Sequence, residues 1–186
     1  MAIVVVGGSG RGVGKTTLIC GLIAALPERS WIAVKISSHV HGTAHPMWEE
    51  KESGQGTDTA RYRTAGARRA FLLSAPDGTA LQRVLDQLWA ECEAGANFIF
   101  ESNRILEYVR PDLCLMVRGG TEPKPSFLSA VRVADAIVVR AKADQVPSEN
   151  LAGRRRPIPV FHLASLEQIS PAMRNWASEK LEHFKK

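Results

Sequence analysis

The chain has 186 residues, of which 45% are hydrophobic and 23% charged, and these proportions are typical of a soluble globular domain with a sizeable core. Its net charge of +5 suits a polyphosphate ligand, but only 6% of the residues are aromatic and no motif interleaves them with basic residues. We therefore expect one domain over 1–186 that binds a small anion, and we expect no nucleic-acid partner.

Strands and helices alternate along the predicted structure. The strands are short apolar runs rich in β-branched residues, and the helices have apolar residues at helical spacing. In chain order the elements are a strand over 3–6, a helix over 15–26, strands over 31–36 and 69–74, a helix over 79–93, strands over 97–101, 113–117, 136–141 and 158–163, and a last helix from Ser170.

Capping signals mark two helix starts. Thr79 and Gln82 have the spacing of a capping box, and Ser170 precedes Pro171 as an N-cap precedes proline at the first helical position. The alternation predicts an α/β fold in three layers, a mostly parallel sheet with helices on both faces.

Two polar segments, 37–57 and 118–125, lack periodicity and are predicted to be loops. Both follow strands, and ligands of open parallel sheets bind beyond the carboxyl ends of the strands. We therefore expect both loops at the ligand-binding edge.

The glycine-rich run "GGSGRGVGKTTL", residues 7–18, stands between the first strand and the first helix. Gly14, Lys15 and Thr16 complete the phosphate-loop pattern G-x-x-x-x-G-K-[ST], although Ser9 replaces its first glycine. Backbone amides of such a loop surround phosphates, the lysine reaches the β- and γ-phosphates, and the threonine holds Mg²⁺. The predicted phosphate-loop ligands are Gly10, Gly12, Val13, Gly14, Lys15, Thr16 and Thr17.

Two acidic residues are candidates for positioning Mg²⁺ or water. Glu101 closes the strand over 97–101, and Asp58 precedes the segment "TARYRTAGA". We predict that both contribute to catalysis together with Lys15, and that both hold the metal with Thr16. The alternatives are a surface acid at a strand end for Glu101 and a helix N-cap for Asp58.

The runs "GGSGRGVGKTTLICGLIAAL", "WIAVKISSHVHG" and "DTARYRTAGA", followed by an apolar strand ending in glutamate, resemble the molybdopterin-guanine dinucleotide biosynthesis adaptor family, a SIMIBI-class group of P-loop proteins. The resemblance spans residue 3 to about 102 and implies GTP and Mg²⁺ binding. It also implies a homodimer that assists a partner enzyme of molybdenum-cofactor synthesis. By that resemblance, Lys35 and His39 join Asp58 and Glu101 at the site, whereas Ile36 and Ser102 differ from the residues usual in the family.

The base of the nucleotide is weakly encoded. Asp144, in "AKAD" after a late strand, stands where relatives read guanine through a carboxylate, but it equally suits a solvated turn. We favour GTP over ATP on the family resemblance.

Histidines and arginines add further candidates. His39, His41 and His45 suit a metal, a substrate or partner contact, or simply a polar loop. Arg61 and Arg68 share a helical face, so that one of them is a candidate anion contact, and solvation is the alternative.

Three functions remain open at this stage. The first is a slow Mg²⁺-dependent GTPase or ATPase that serves a cofactor-synthesis enzyme. The second is a small-molecule kinase using the same loop, and the third is a non-catalytic adaptor that responds to nucleotide. Three widely spaced cysteines in apolar segments, without a leader peptide or a membrane-length apolar run, predict a cytoplasmic protein.

Overall fold

An eight-stranded sheet forms the centre of the part of the chain described by the computed structural model, which comprises residues 1–38, 45–120, 122–140 and 157–183. Its strands are β1 (Ile3–Gly8), β2 (Ile32–Ser37), β3 (Met47–Glu50), β4 (Arg69–Ser74), β5 (Phe98–Glu101), β6 (Leu113–Arg118), β7 (Ala136–Arg140) and β8 (Val160–Leu163). The helices are α1 (Lys15–Ala25), α2 (Asp58–Thr64), α3 (Gly78–Glu91), α4 (Pro125–Ala130) and α5 (Pro171–His183).

The strands lie in the order β3-β4-β2-β5-β1-β6-β7-β8, and every neighbouring pair is parallel except β3 with β4. Parallel neighbours cannot be joined by a tight turn, so the chain must cross over between them. β1 is central, between β5 and β6, and all six of its residues are buried. The phosphate-loop candidate therefore starts from the middle of the carboxyl edge.

The sheet buries a core on each face, because side chains alternate along β1. Val4 and Val6 face one core, which includes residues of α1, α2 and α5. Ile3 and Val5 face the other, which includes residues of α3 and α4. The predicted parallel sheet with helices on both faces is confirmed.

The predicted loop over 37–57 is wrong in part, since it contains β3. This strand pairs antiparallel with β4 at the edge of the sheet. The residues of β3, "MWEE", do not alternate between apolar and polar, and Trp48 is 49% exposed. The hydrophobic periodicity of the sequence therefore does not indicate this strand. Glu49 forms hydrogen bonds of 2.7 and 3.0 Å with Arg69 of β4, so charge pairing joins β3 to β4 in addition to the packing of Met47.

Two helix starts also differ from the sequence expectations. Asp77 caps α3 by accepting a 2.8 Å bond from the amide of Ala80, so the predicted capping box at Thr79 is wrong. Thr57, not Asp58, caps α2 through a 3.0 Å bond from the Ala60 amide. The predicted cap at Ser170 is confirmed by a 3.3 Å bond from the Met173 amide.

No helix in the described ranges is both long enough and apolar enough to cross a membrane.

Candidate functional site

A cleft of about 770 Å³ lies at the carboxyl edge of the sheet, within the size range of small-molecule sites. Turns after β1, β2 and β5 and the first residues of α1 and α2 form its walls. It brings together most of the candidates predicted from the sequence. Those that line it are Gly10, Gly12, Gly14, Lys15, Thr16, Thr17, Lys35, Asp58 and Glu101.

The glycine-rich turn has the backbone that a phosphate-binding loop requires. Gly12 and Gly14 have φ angles of +69° and +100°, a left-handed conformation that side chains disfavour. α1 begins directly after Gly14, so its first amide groups, which have no helical partner, belong to the loop. This combination of a left-handed glycine turn and a helix N-terminus is suited to anions.

Lys15 bends back over the loop, and its ammonium group donates a 2.8 Å hydrogen bond to the carbonyl oxygen of Gly10. Burial lowers the pKa of Lys15, and the nearby charge of Glu101 opposes this effect. A partly buried cation beside the glycine turn is placed for an anion in the cleft.

A network of charged side chains lines the cleft next to the loop. Lys35 and Glu101 are paired in register on neighbouring parallel strands, and their side-chain charges are 3.3 Å apart. Lys35 also forms an ion pair with Asp58, which is the first residue of α2. The network thus joins three separate elements.

The ionisation of this network follows from its contacts. Burial lowers the pKa of Lys35, but the charge of Glu101 and the bonds to Asp58 outweigh it, so the pKa is raised. Burial likewise raises the pKa of Asp58, and Lys35 outweighs it, so the pKa is lowered. Lys35 and Asp58 are therefore a charged pair at neutral pH.

The oxygen atoms near the loop suit a hard divalent cation. The Thr16 hydroxyl donates a 2.6 Å bond to Oε2 of Glu101, which leaves the lone pairs of the hydroxyl for a cation. Threonine and carboxylate oxygens are ligands that Mg²⁺ accepts alongside phosphate oxygens. In the described ranges no three His, Cys, Asp or Glu side chains form a metal-binding group. The Thr16 hydroxyl and the Glu101 carboxylate are therefore the candidate protein ligands of an ion at this place.

The structure also brings residues to the site that the sequence reasoning did not single out. Asn103 holds the entry to the loop, because its amide oxygen accepts from the Gly8 amide at 2.8 Å and its amide nitrogen donates to the Gly8 carbonyl at 3.1 Å. Tyr62 donates to Glu101 from the core. Two signals point to them: Asn103 follows the end of β5, and Tyr62 is four residues from Asp58 on one helical face.

Other candidates lie elsewhere. The side chain of Val13 packs against the core instead of lining the cleft. Arg61 lines the cleft and lies 3.3 Å from the Thr17 hydroxyl, whereas Arg68 pairs with Glu93. His45 is exposed. His39, His41 and Asp144 lie outside the described residues.

Solved structures share this fold. HypB from Helicobacter pylori in complex with nickel matches with a TM-score of 0.57 and 17% identity over 100% of this chain and 89% of that chain. A MobB protein homolog from Bacillus stearothermophilus matches with a TM-score of 0.52 and 18% identity over 98% of this chain and 99% of that chain. LpxK from Aquifex aeolicus in complex with ATP matches with a TM-score of 0.52 and 16% identity. The match covers 86% of this chain and 53% of the LpxK chain, so this chain spans about half the length of LpxK. The predicted P-loop NTPase fold is confirmed, and at these identities the likeness concerns the fold alone.

No curated protein matches the sequence. The family described as molybdopterin guanine dinucleotide synthesis protein B, MobB, matches residues 2–103, which is more than half of the chain. The matched region includes the glycine turn, Lys35, Asp58 and Glu101. The chain therefore belongs to the MobB family, in agreement with the resemblance read from its sequence.

Proposed function

We propose that the chain binds a magnesium nucleoside triphosphate in the cleft, GTP in preference to ATP, and hydrolyses it slowly. The observation that carries this proposal is the left-handed turn at Gly12 and Gly14, which leads into Lys15 and into a Thr16 hydroxyl bonded to Glu101. Phosphate contact, cation contact and a carboxylate thus converge at one end of α1.

Each residue has a role in this proposal. The amides of the glycine turn and of Thr17 bind the phosphates, and Lys15 exchanges the Gly10 carbonyl for β- and γ-phosphate oxygens. Thr16 and Glu101 hold Mg²⁺, which when bound neutralises negative charge on the phosphates. Asp58, kept charged by Lys35, orients a water molecule near the phosphates.

The biological context of the proposal comes from the family. A member of the molybdopterin guanine dinucleotide synthesis protein B family is expected to assist an enzyme that builds the dinucleotide form of the molybdenum cofactor. We propose that this chain does so as a cytoplasmic homodimer and that residues 1–186 form one domain. The preference for GTP rests on the same relationship.

A small-molecule kinase is the second candidate, because the cleft extends beyond the loop. Ser37 at the end of β2, Ser38 directly after it and Arg104 after β5 line the cleft as well, which leaves room for an acceptor beside the phosphates. A dependence of phosphate transfer on an added metabolite would select this function over hydrolysis.

Calorimetric titration with GTP and with ATP, each with Mg²⁺, tests the proposal. Hydrogen bonds to charged groups contribute about 1.5–3 kcal/mol, so Lys15→Ala should weaken binding roughly ten- to a hundredfold. Lys51→Ala is the matched control, since Lys51 is exposed and pairs with Glu49 away from the cleft. Absence of binding by the wild-type protein at millimolar nucleotide, or equal affinities of Lys15→Ala and wild type, would contradict the proposal. Release of phosphate without an acceptor supports hydrolysis, and binding without release supports a non-catalytic adaptor.

A further inference from the structure

Glu101 is held by three side chains from three elements. Its Oε2 atom accepts hydrogen bonds from Thr16 at 2.6 Å and from the hydroxyl of Tyr62, and its Oε1 atom lies 3.3 Å from the Lys35 ammonium. Both carboxylate oxygens are thus engaged, and the side chain is 7% exposed. Only a carboxylate that accepts at both oxygens can satisfy all of these donors at once.

Tyr62 reaches Glu101 from behind the site. Its side chain is fully buried in the core on the α1 face of the sheet, and it does not line the cleft. In this hydrogen bond the hydroxyl of Tyr62 is the donor, because a carboxylate oxygen can only accept. Tyr62 therefore donates to Glu101 and touches neither a nucleotide nor a metal.

The bond from Tyr62 also constrains Thr16. Two donors on one oxygen hold the carboxylate in one orientation, with Oε2 towards the phosphate loop. In that orientation the Thr16 proton is directed to Glu101 and the lone pairs of Thr16 are directed away from it. Without Tyr62, Oε2 of Glu101 keeps only the bond from Thr16, and Lys35 still attracts the carboxylate through Oε1, so the orientation of the carboxylate is less firmly fixed.

We propose that Tyr62 is a positioning residue of the cation site: its buried hydroxyl fixes Glu101 so that Thr16 presents its oxygen to a divalent cation bound with the nucleotide. This inference rests on the proposed function. Groups that orient metal ligands in this way typically contribute ten- to a hundredfold to metal affinity. The contribution of Tyr62 is specific to the cation, because the phosphate-binding amides and Lys15 do not contact it.

The test measures Mg²⁺ dependence of nucleotide binding in Tyr62→Phe, which removes one oxygen atom. Affinity for GTP and ATP is measured in EDTA and across a Mg²⁺ series. We expect the Mg²⁺ concentration at half-effect to rise about tenfold or more, while the affinity in EDTA is unchanged. Tyr108→Phe is the matched control, because Tyr108 is the other tyrosine of the chain and lies outside the cleft. An unchanged Mg²⁺ series, or equal losses with Mg²⁺ and in EDTA, would overturn the inference.

A double-mutant cycle separates positioning from packing. If Tyr62 acts through Glu101, then adding Tyr62→Phe to Glu101→Gln changes the Mg²⁺ half-effect no further, whereas independent contributions add. Additive losses overturn the inference. A wild-type protein that binds no nucleotide overturns the proposed function and this inference with it, whereas a wild type that binds and a Tyr62→Phe that behaves identically overturn this inference alone.

The same double-mutant cycle also tests the inference if Tyr62→Phe is too unstable to titrate. Tyr62→Phe leaves a buried carboxylate with one donor fewer, and such a charge destabilises the fold. If Tyr62→Phe melts too low for titration, then Glu101→Gln added to it should raise the melting temperature again. A double variant that melts no higher than Tyr62→Phe shows that the tyrosine serves packing alone, which overturns the inference.

Discussion

The hydroxyl of Ser9 donates a 2.6 Å hydrogen bond to the carbonyl oxygen of Gly119 and accepts a 3.0 Å bond from the amide of the same residue. Ser9 is fully buried, and its own amide donates to the carbonyl of Val117 at 3.0 Å. Ser9 stands where the phosphate-loop pattern has its first glycine. Its side chain joins the loop to the segment after β6, a link that glycine cannot form.

Ser9→Ala should therefore destabilise the protein. The amide of Gly119 loses its partner, while the carbonyl of Gly119 keeps the 3.0 Å bond from Arg118. An unsatisfied buried group costs about 1–3 kcal/mol. Thermal melting should show a decrease of roughly several degrees. The control is Ser129→Ala at an exposed position of α4, which should melt like the wild type. Equal melting temperatures for the two variants would show that the link to Gly119 contributes nothing.

Gly14→Ala should be more harmful than Gly12→Ala. Both glycines are left-handed, a conformation that costs other residues about 1–2 kcal/mol. At Gly14 the added Cβ atom would also stand 2.2 Å from Cδ1 of Leu166, whereas at Gly12 it meets nothing within 4 Å. Melting and nucleotide titration check the order, and Gly54→Ala, which has neither positive φ nor a close neighbour, is the control. Equal effects at the two positions would contradict the predicted contact with Leu166.

Asp58→Asn should slow phosphate release while nucleotide affinity changes little. The substitution removes the charge that holds Lys35 between two carboxylates, so Lys35 pairs with Glu101 alone. We expect a rate loss of about tenfold or more, measured as phosphate released from GTP with Mg²⁺. Asp86→Asn on the exposed face of α3 should leave the rate unchanged. A normal rate in Asp58→Asn would exclude this residue from the reaction.

The Glu49–Arg69 pair should make stability depend on pH in acid. Hydrogen bonds from Arg69 and, to a smaller extent, Lys51 outweigh burial and lower the pKa of Glu49 from its ordinary value of 4.5 to about 2. Because the folded pKa lies below the ordinary value, the stabilisation is complete above pH 4.5 and is lost as the pH falls towards about 2.

Melting curves of Glu49→Gln across this range test the prediction. The variant should melt below the wild type at neutral pH, and the difference should narrow as the pH falls from 4.5 to about 2. Glu28→Gln, on an exposed turn, is the control and should follow the wild type throughout. A difference that stays constant across the range would contradict the assignment to the Glu49 carboxyl.

Local patterns were sufficient for most of the architecture. The strand and helix signals are short-range, and the parallel order follows from their alternation. The edge strand β3 could not be predicted from the sequence, because its residues "MWEE" neither alternate in polarity nor are wholly apolar. It forms by pairing with β4, which lies about twenty residues further along the chain. The predicted start of α3 was wrong because Asp77 and Thr79 are both residue types that favour the N-cap, and Asp77 is the one with the extended backbone of an N-cap.

The amino-acid sequence by itself determined the glycine turn, its lysine and threonine, and the acidic residues at the end of β5 and at the start of α2. These are local features, because a strand, a turn and a helix start occupy one short stretch. Only the tertiary structure decided that Lys35 lies between Asp58 and Glu101, and that Tyr62 donates a hydrogen bond to Glu101 from the core. Residues 16, 35, 62 and 101 are far apart in the chain, and only the order and register of the parallel strands bring their side chains within hydrogen-bonding distance.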